Sequence, residues 1–181
     1  MAKLAIFLAD GCEEVEALAT VDVCRRAKFE IDLISITGSL EIHGSRGIVF
    51  MAEKLIEDTD FSAYDGVILP GGMPGTTNLG ACDAVVKQIK EFNAADKLVA
   101  AICAAPSVLG DNDILVGKDA TCHPGFEERL KGANVKFDNA VISKNTVTSR
   151  GMGTAVDFGL AIVKYFEGQE AVDKVKVGLA I

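Results

Sequence analysis

The sequence is poor in the residues from which metal sites and disulfide frameworks are built. It has only two histidines, His43 and His123, and neither a His-x-x-x-His nor a paired-cysteine spacing. We therefore expect no zinc site. Its five cysteines are odd in number and contain no Cys-x-x-Cys pair, which argues against a disulfide framework and a dithiol redox centre. Free thiols are typical of a reducing compartment, so we expect a cytoplasmic location.

Long apolar runs and concentrated basic charge are also missing. The apolar run before Asp10 is too short for a membrane span and meets an acid and a glycine at once, which does not suit a signal peptide. Lys and Arg number 18 against 26 Asp and Glu, giving a net charge of −8. Because phosphate binding needs a concentrated basic face, neither nucleic acid nor a membrane is expected as a partner.

What the sequence does contain is a regular alternation of short apolar runs and stretches with helical spacing. The apolar runs predict buried parallel strands at Lys3–Leu8, Glu30–Ile36, Gly66–Leu69 and Lys97–Ile102. The helical spacing predicts helices at Glu14–Ala27, Ala81–Phe92 and Thr154–Phe166. Thr154 and Asp157 suggest a capping box for the last helix. Segment Glu41–Phe50 predicts a hairpin, and residues 135–148 predict two or three further strands.

This alternation predicts one α/β domain over residues 1–181, with a mostly parallel sheet covered by helices on both faces. In such sheets the ligand crevice lies at the carboxyl ends of the strands. Three predicted loops fall there: Asp10–Glu14, Pro70–Gly75 and Cys103–Pro106.

Cys103 is the leading candidate for a reactive group. An apolar strand runs directly into it, and Pro106 suits the first turn of a following helix. Such a turn raises a side chain above the sheet, and a helix N-terminus lowers a thiol pKa and favours the nucleophilic thiolate. The alternative is that Cys103 is a small buried apolar residue, as most free cysteines are.

The other two loops allow both a functional and a structural interpretation. Glycines in Pro70–Gly75 would let backbone amides approach a substrate oxygen, or could form an ordinary tight turn. Their spacing does not match a dinucleotide fingerprint. Acids at Asp10–Glu14 suit helix capping and argue against flavin mononucleotide, whereas Glu16 lies deeper in the helix and can face the crevice. His123 follows another predicted strand, where it is either a catalyst or a hydrogen-bonded structural residue.

Six segments in this order resemble the ThiJ/PfpI superfamily, in particular the branch of the Parkinson-associated protein deglycase and its bacterial relatives. They are Asp10–Glu16, Val21–Arg26, Leu69–Gly72, Ala100–Pro106, Cys122–Pro124 and Thr148–Thr154. The resemblance implies a flavodoxin-like sandwich and a homodimer, and it requires neither a metal nor an organic cofactor.

The resemblance also implies roles for individual residues. It assigns Cys103 as nucleophile, Glu16 as its partner acid and His123 as the nearby histidine. Backbone amides of Gly72 and Ala104 become the oxyanion donors. Arg46 matches a position near the pocket and the dimer interface. A thiolate beside Glu16 would raise the carboxyl pKa, so that a neutral acid hydrogen-bonds to sulfur.

The implied activity is that of a glyoxalase III-like lyase or a deglycase-type hydrolase. Its substrates would be methylglyoxal-like α-oxoaldehydes or their adducts. The alternative is an oxidative-stress sensor or a protective, chaperone-like protein that uses the same oxidisable cysteine. A protease is disfavoured because Ala104 stands where the protease-like branch has a histidine. A glutaminase is disfavoured because no histidine follows His123.

Further expectations concern the surroundings of the site. The polar segment Asp111-Asn112-Asp113 is expected to alter the pocket rim. Cys12 and Cys122 are secondary candidates for the pocket wall, and the helix that carries Cys24 is a candidate dimer contact.

Overall fold

A computed structural model describes residues 1–181, in which eleven strands and five α-helices alternate. The strands are β1 (Lys3–Leu8), β2 (Glu30–Ser35), β3 (Glu41–His43), β4 (Val49–Met51), β5 (Lys54–Leu55), β6 (Gly66–Leu69), β7 (Leu98–Ile102), β8 (Asp119–Ala120), β9 (Asn134–Val135), β10 (Ala140–Ser143) and β11 (Thr146–Ser149). The helices are α1 (Glu14–Arg26), α2 (Gly75–Ala81), α3 (Asp83–Ala94), α4 (Pro106–Asp111) and α5 (Ala155–Leu179).

Seven strands form the central sheet, in the order β10-β11-β7-β6-β1-β2-β5. Every neighbouring pair is parallel except β10 and β11. The chain runs from β1 outward to β2 and then crosses back to β6 on the other side of β1. The strand order therefore reverses between β1 and β6, and open α/β sheets form their crevice at such a point. The flavodoxin-like, mostly parallel fold predicted from the sequence is confirmed.

Both faces of the sheet are covered because its central strands are almost wholly apolar and buried. In β1, Leu4, Ile6 and Leu8 pack into a core shared with α1 and α5. The intervening Ala5 and Phe7 pack into a second core shared with α2, α3 and α4. Side chains alternate across a strand, so a run with no polar position indicates burial on both sides. The helices thereby fix the height of the loops at the carboxyl edge.

The structure places the start of the last helix where it was predicted, but it corrects the predicted cap and the predicted end. The side chain of Thr154 does not cap α5. Its hydroxyl instead donates to the Gly151 carbonyl at 2.9 Å, and Asp157 accepts a hydrogen bond from Asn139. The helix also continues past the predicted end through a kink at Gly168, where φ is +78°. Gly168 therefore does not end the helix but forms a bend between two helical segments.

Smaller features complete the fold. Strands β3 and β4 form the predicted hairpin, and the short helix α2, which sequence spacing did not predict, follows the glycine-rich loop. No helix combines the length and apolar character needed to cross a bilayer.

Candidate active site

Cys103 occupies a sharp turn between β7 and α4. Its φ of +65° lies in the left-handed region, which non-glycine residues rarely adopt and which often marks a functional site. Its N–H donates to the Ser149 carbonyl at 3.0 Å, and its own carbonyl accepts from the His123 N–H at 2.8 Å. These bonds fix the backbone on both sides, so the half-buried side chain projects above the sheet.

Glu16 is buried beside Cys103, with only 1% of its surface exposed. Its Oε2 accepts a hydrogen bond from the Gly71 N–H at 2.9 Å. Its Oε1 has no hydrogen-bond partner, and the Cys103 thiol lies close enough to this carboxyl group to lower its pKa. One oxygen is therefore anchored, and the other is available for proton exchange.

Cys103 and Glu16 titrate as a pair. Burial raises the pKa of Glu16 from 4.5 to about 7. This direction is the one predicted from the sequence, but the predicted cause was a neighbouring thiolate, whereas the main cause is burial. The pKa of the Cys103 thiol is raised to about 12. Burial is the larger cause, and the nearby Glu16 carboxylate is the second. The prediction of an unusually acidic thiol is therefore wrong. Helix α4 has only six residues, and its dipole does not offset desolvation and the adjacent charge. Above about pH 7 the pair holds one proton, which it can share.

Two backbone N–H groups point at the sulfur, those of Gly72 and Ala104. Neither donates to another backbone carbonyl. Gly72 has a φ of +89°, and a Cβ there would lie 2.3 Å from the Glu13 backbone nitrogen. Only glycine allows this approach, which aims an amide at the reacting centre. The two donors can stabilise negative charge on sulfur or on an adjacent oxygen.

The site opens into a cavity of about 390 Å³. All six predicted site residues line it: Glu16, Arg46, Gly72, Cys103, Ala104 and His123. The sequence interpretation did not identify the remaining lining residues, which are Glu13, Ser45, Met73, Phe126 and Met152. The structure thus brings the predicted residues together around one space.

His123 and Arg46 lie at the more exposed part of this cavity. The His123 Nδ1 is 2.9 Å from the Pro124 carbonyl oxygen, its only side-chain hydrogen bond. No carboxylate hydrogen-bonds to the ring. The Arg46 side chain forms no ion pair, although its backbone N–H donates to the Glu14 carboxylate at 2.7 Å. Both side chains can therefore reorient toward a ligand.

The family model described as DJ-1/PfpI matches residues 2–165. The chain belongs to the DJ-1/PfpI family. It is 36% identical over 169 residues to DJ-1 homolog A of Arabidopsis thaliana, covering 93% of this chain but only 43% of that longer protein. It is also 36% identical over 180 residues to the Parkinson disease protein 7 homolog of Danio rerio, covering 97% of this chain and 95% of the relative.

Two further family members bear on the chemistry. A Caenorhabditis elegans protein named glutathione-independent glyoxalase DJR-1.2 is 32% identical over 163 residues, covering 89% of this chain and 86% of that protein. The solved structure titled Toxoplasma gondii DJ-1, oxidized superposes with a TM-score of 0.95 at 31% identity, covering 99% of this chain and 98% of the other.

Within this DJ-1/PfpI fold, three secondary expectations are wrong. Cys12 and Cys122 are buried and do not line the cavity. Asp111 is also absent from the rim, because it pairs with Arg129 and Lys131. These positions lie near site residues along the chain, but their side chains point away from the cavity.

Metal-ligating side chains do not cluster in this DJ-1/PfpI domain. No group of three or more His, Cys, Asp or Glu residues is placed to hold an ion. The reactive groups that the cavity offers are a thiol, two carboxyl groups, an imidazole and a guanidinium.

Proposed function

We propose that this protein is a cofactor-independent glyoxalase that converts α-oxoaldehydes such as methylglyoxal into 2-hydroxy acids. The observation that carries the proposal is the Cys103 thiol beside a buried carboxyl group with a pKa of about 7, both at an open cavity. The name of the C. elegans relative supports it. Such a pair supplies a nucleophile and a base in one unit.

In the first step the Cys103 sulfur bonds to the aldehyde carbon. The carbonyl electron pair moves onto oxygen, and the thiol proton passes to the Glu16 carboxylate. The N–H groups of Gly72 and Ala104 stabilise the developing oxyanion. Glu16 then returns the proton to this oxygen, which gives a neutral hemithioacetal and restores the carboxylate. A thiol with a raised pKa is suited to this step because its proton leaves only as the bond forms.

In the second step Glu16 removes the proton from the sulfur-bearing carbon and returns it to the neighbouring carbon through an enediolate. The hydroxyl proton of the hemithioacetal passes to the former ketone oxygen, so that the C–O bond at the sulfur-bearing carbon becomes the thioester carbonyl. The aldehyde carbon is oxidised and the ketone carbon is reduced, so no external oxidant is needed. Water then attacks the resulting thioester, the carbon–sulfur bond breaks and Cys103 regains its proton. The net reaction is addition of one water molecule to the α-oxoaldehyde.

The same chemistry extends to early methylglyoxal adducts of protein thiols and amines, a deglycase-type activity. The partners we propose are these small carbonyl compounds or glycated groups, together with a second copy of the chain in a homodimer. Light scattering at several protein concentrations tests the homodimer, and a monomer mass throughout would contradict it.

Formation of the 2-hydroxy acid from methylglyoxal tests the enzymatic proposal. We expect Cys103→Ser and Glu16→Gln each to reduce kcat/KM by about 10²–10⁴-fold, the usual contribution of a positioned base or nucleophile. Cys82→Ser is the matched control, since Cys82 is also partly exposed but lies outside the cavity. Undiminished turnover in either site variant would contradict the mechanism.

A second candidate function is oxidation sensing at the same sulfur. It is favoured by the two N–H groups and the Glu16 carboxyl group around a half-buried thiol, because these donors would also hold the oxygens of a sulfinate. Mild peroxide should add two oxygen atoms to Cys103 before Cys82. Equal oxidation of both, measured by peptide mass spectrometry, would contradict it.

A further inference from the structure

The cavity is much larger than the smallest α-oxoaldehydes. Its volume of about 390 Å³ lies in the range of about 300–1,000 Å³ that is typical of sites for drug-sized ligands. Methylglyoxal has only five non-hydrogen atoms. When the aldehyde carbon lies at Cys103, the two adjacent carbonyl groups of the substrate occupy only part of the cavity. Most of the remaining space is available to the substituent on the ketone carbon.

The wall available to this substituent carries three large apolar side chains. Met73 and Met152 are 52% and 56% exposed, and Phe126 is partly buried. Single exposed apolar residues are ordinary, but several around one concave site indicate a binding surface. Methionine is unbranched and polarizable, so it adapts to ligands of different shape.

The two methionines are attached to the backbone at opposite ends of the reacting groups. Met73 directly follows Gly72, whose N–H points at the Cys103 sulfur. Met152 directly follows Gly151, where a Cβ would lie 4.0 Å from Glu16 Oε1. One methionine is therefore attached beside a donor to the sulfur and the other near the carboxyl group, and both line the cavity.

The charged lining residues do not favour a charged substituent. Glu13 and Arg46 contribute one charge of each sign to the wall. An anionic substituent would also face Glu16 once that carboxyl group has ionised. The apolar side chains are therefore the main source of discrimination.

We propose that the cavity selects α-oxoaldehydes whose substituent is apolar and longer than methyl, through contact with Met73, Phe126 and Met152. This inference rests on the proposed glyoxalase function and adds the substrate class. The chemistry at the carbonyl pair is unchanged, and only binding of the substituent differs.

The test compares kcat/KM for methyl, ethyl, butyl and hydroxymethyl α-oxoaldehydes. Full burial of a methylene group should raise kcat/KM about fourfold. Contact with a half-exposed wall should therefore raise it about twofold for each added methylene group. We expect roughly an eightfold rise from methyl to butyl. The ethyl and hydroxymethyl compounds have nearly the same shape, and the ethyl compound should be preferred.

Variants separate wall contacts from the intrinsic reactivity of the aldehydes. In the double variant Met73→Gln/Met152→Gln, the ethyl-to-hydroxymethyl ratio of kcat/KM should fall by about 3- to 10-fold. Met51→Gln is the control, because Met51 is 58% exposed and lies outside the cavity.

The outcomes distinguish this inference from the proposed function. No turnover of any α-oxoaldehyde by the unmodified protein would refute both. Turnover with a flat or falling series, or a ratio unchanged in the double variant, would overturn the substrate class alone. A rising series with a ratio that falls only in the double variant supports the proposal.

Discussion

Replacing Glu16 by glutamine should make the protein more stable at alkaline pH. Folding raises the pKa of this carboxyl group from 4.5 to about 7. Between these values the folded chain binds more protons than the unfolded chain, so stability falls as pH rises. Glutamine is neutral at every pH, and its oxygen can still accept the Gly71 N–H.

The size of the effect follows from the pKa difference of about 2.5 pH units, each about 1.4 kcal/mol. Glu16 is 1% exposed, so solvent screening does not reduce this figure much. We expect Glu16→Gln to match the unmodified protein at about pH 4 and to exceed its free energy of unfolding by about 3 kcal/mol at about pH 8. For 181 residues this corresponds to a Tm increase of roughly 6–12 °C.

Urea unfolding of both proteins at the two pH values measures this difference. The control is Glu14→Gln on the same helix. Glu14 is also buried, but backbone N–H groups of Arg46 and Ile48 hydrogen-bond to its carboxylate, and its pKa is lowered. A lowered pKa adds stability above the unfolded value, so Glu14→Gln should be less stable at pH 8. If Glu16→Gln were no more stable than the unmodified protein at pH 8, ionisation of the buried Glu16 carboxyl group could not destabilise the fold.

Two other substitutions test the close packing around the site and a buried polar network. Gly71→Ala would place its Cβ 2.5 Å from the Cys103 Cβ, so turnover of methylglyoxal should fall by at least about 10²-fold. The control Gly80→Ala, whose Cβ would have its nearest contact at 3.4 Å, should retain activity. Equal activity in both variants would contradict the packing argument. Lys118 is 7% exposed and donates to the Asn145 Oδ1 at 2.7 Å. Lys118→Ala should therefore lower the free energy of unfolding, measured by urea titration, by about 1–3 kcal/mol. An unchanged urea midpoint would show that the hydrogen bond contributes nothing to stability.

The sequence was sufficient to predict the sheet and the place of the site. Strands Lys3–Leu8 and Gly66–Leu69 have the predicted bounds because their apolar runs end at polar or turn-forming residues. In a parallel sheet the carboxyl ends of strands share one edge. Loops far apart in the chain could therefore be expected to meet, and the Gly71 carbonyl does accept a hydrogen bond from the Glu13 N–H at 2.9 Å.

Properties that depend on three-dimensional surroundings could not be predicted in this way. The pKa of the Cys103 thiol depends on the length of the following helix and on burial, which local spacing does not show. Met73, Phe126 and Met152 line the cavity, but isolated apolar residues in loops give no periodic signal. The only sequence signal available was that Met73 directly follows Gly72.

The central claim is that Cys103 and Glu16 share one proton once the pH rises above about 7. The most direct measurement is the rate of Cys103 alkylation by iodoacetamide against pH, read by peptide mass spectrometry with Cys82 as internal reference. In the unmodified protein the rate should rise through about pH 7, where Glu16 ionises and can accept the thiol proton. In Glu16→Gln this inflection should disappear and the rate should continue to rise at higher pH. The same profile in both proteins would contradict the shared proton.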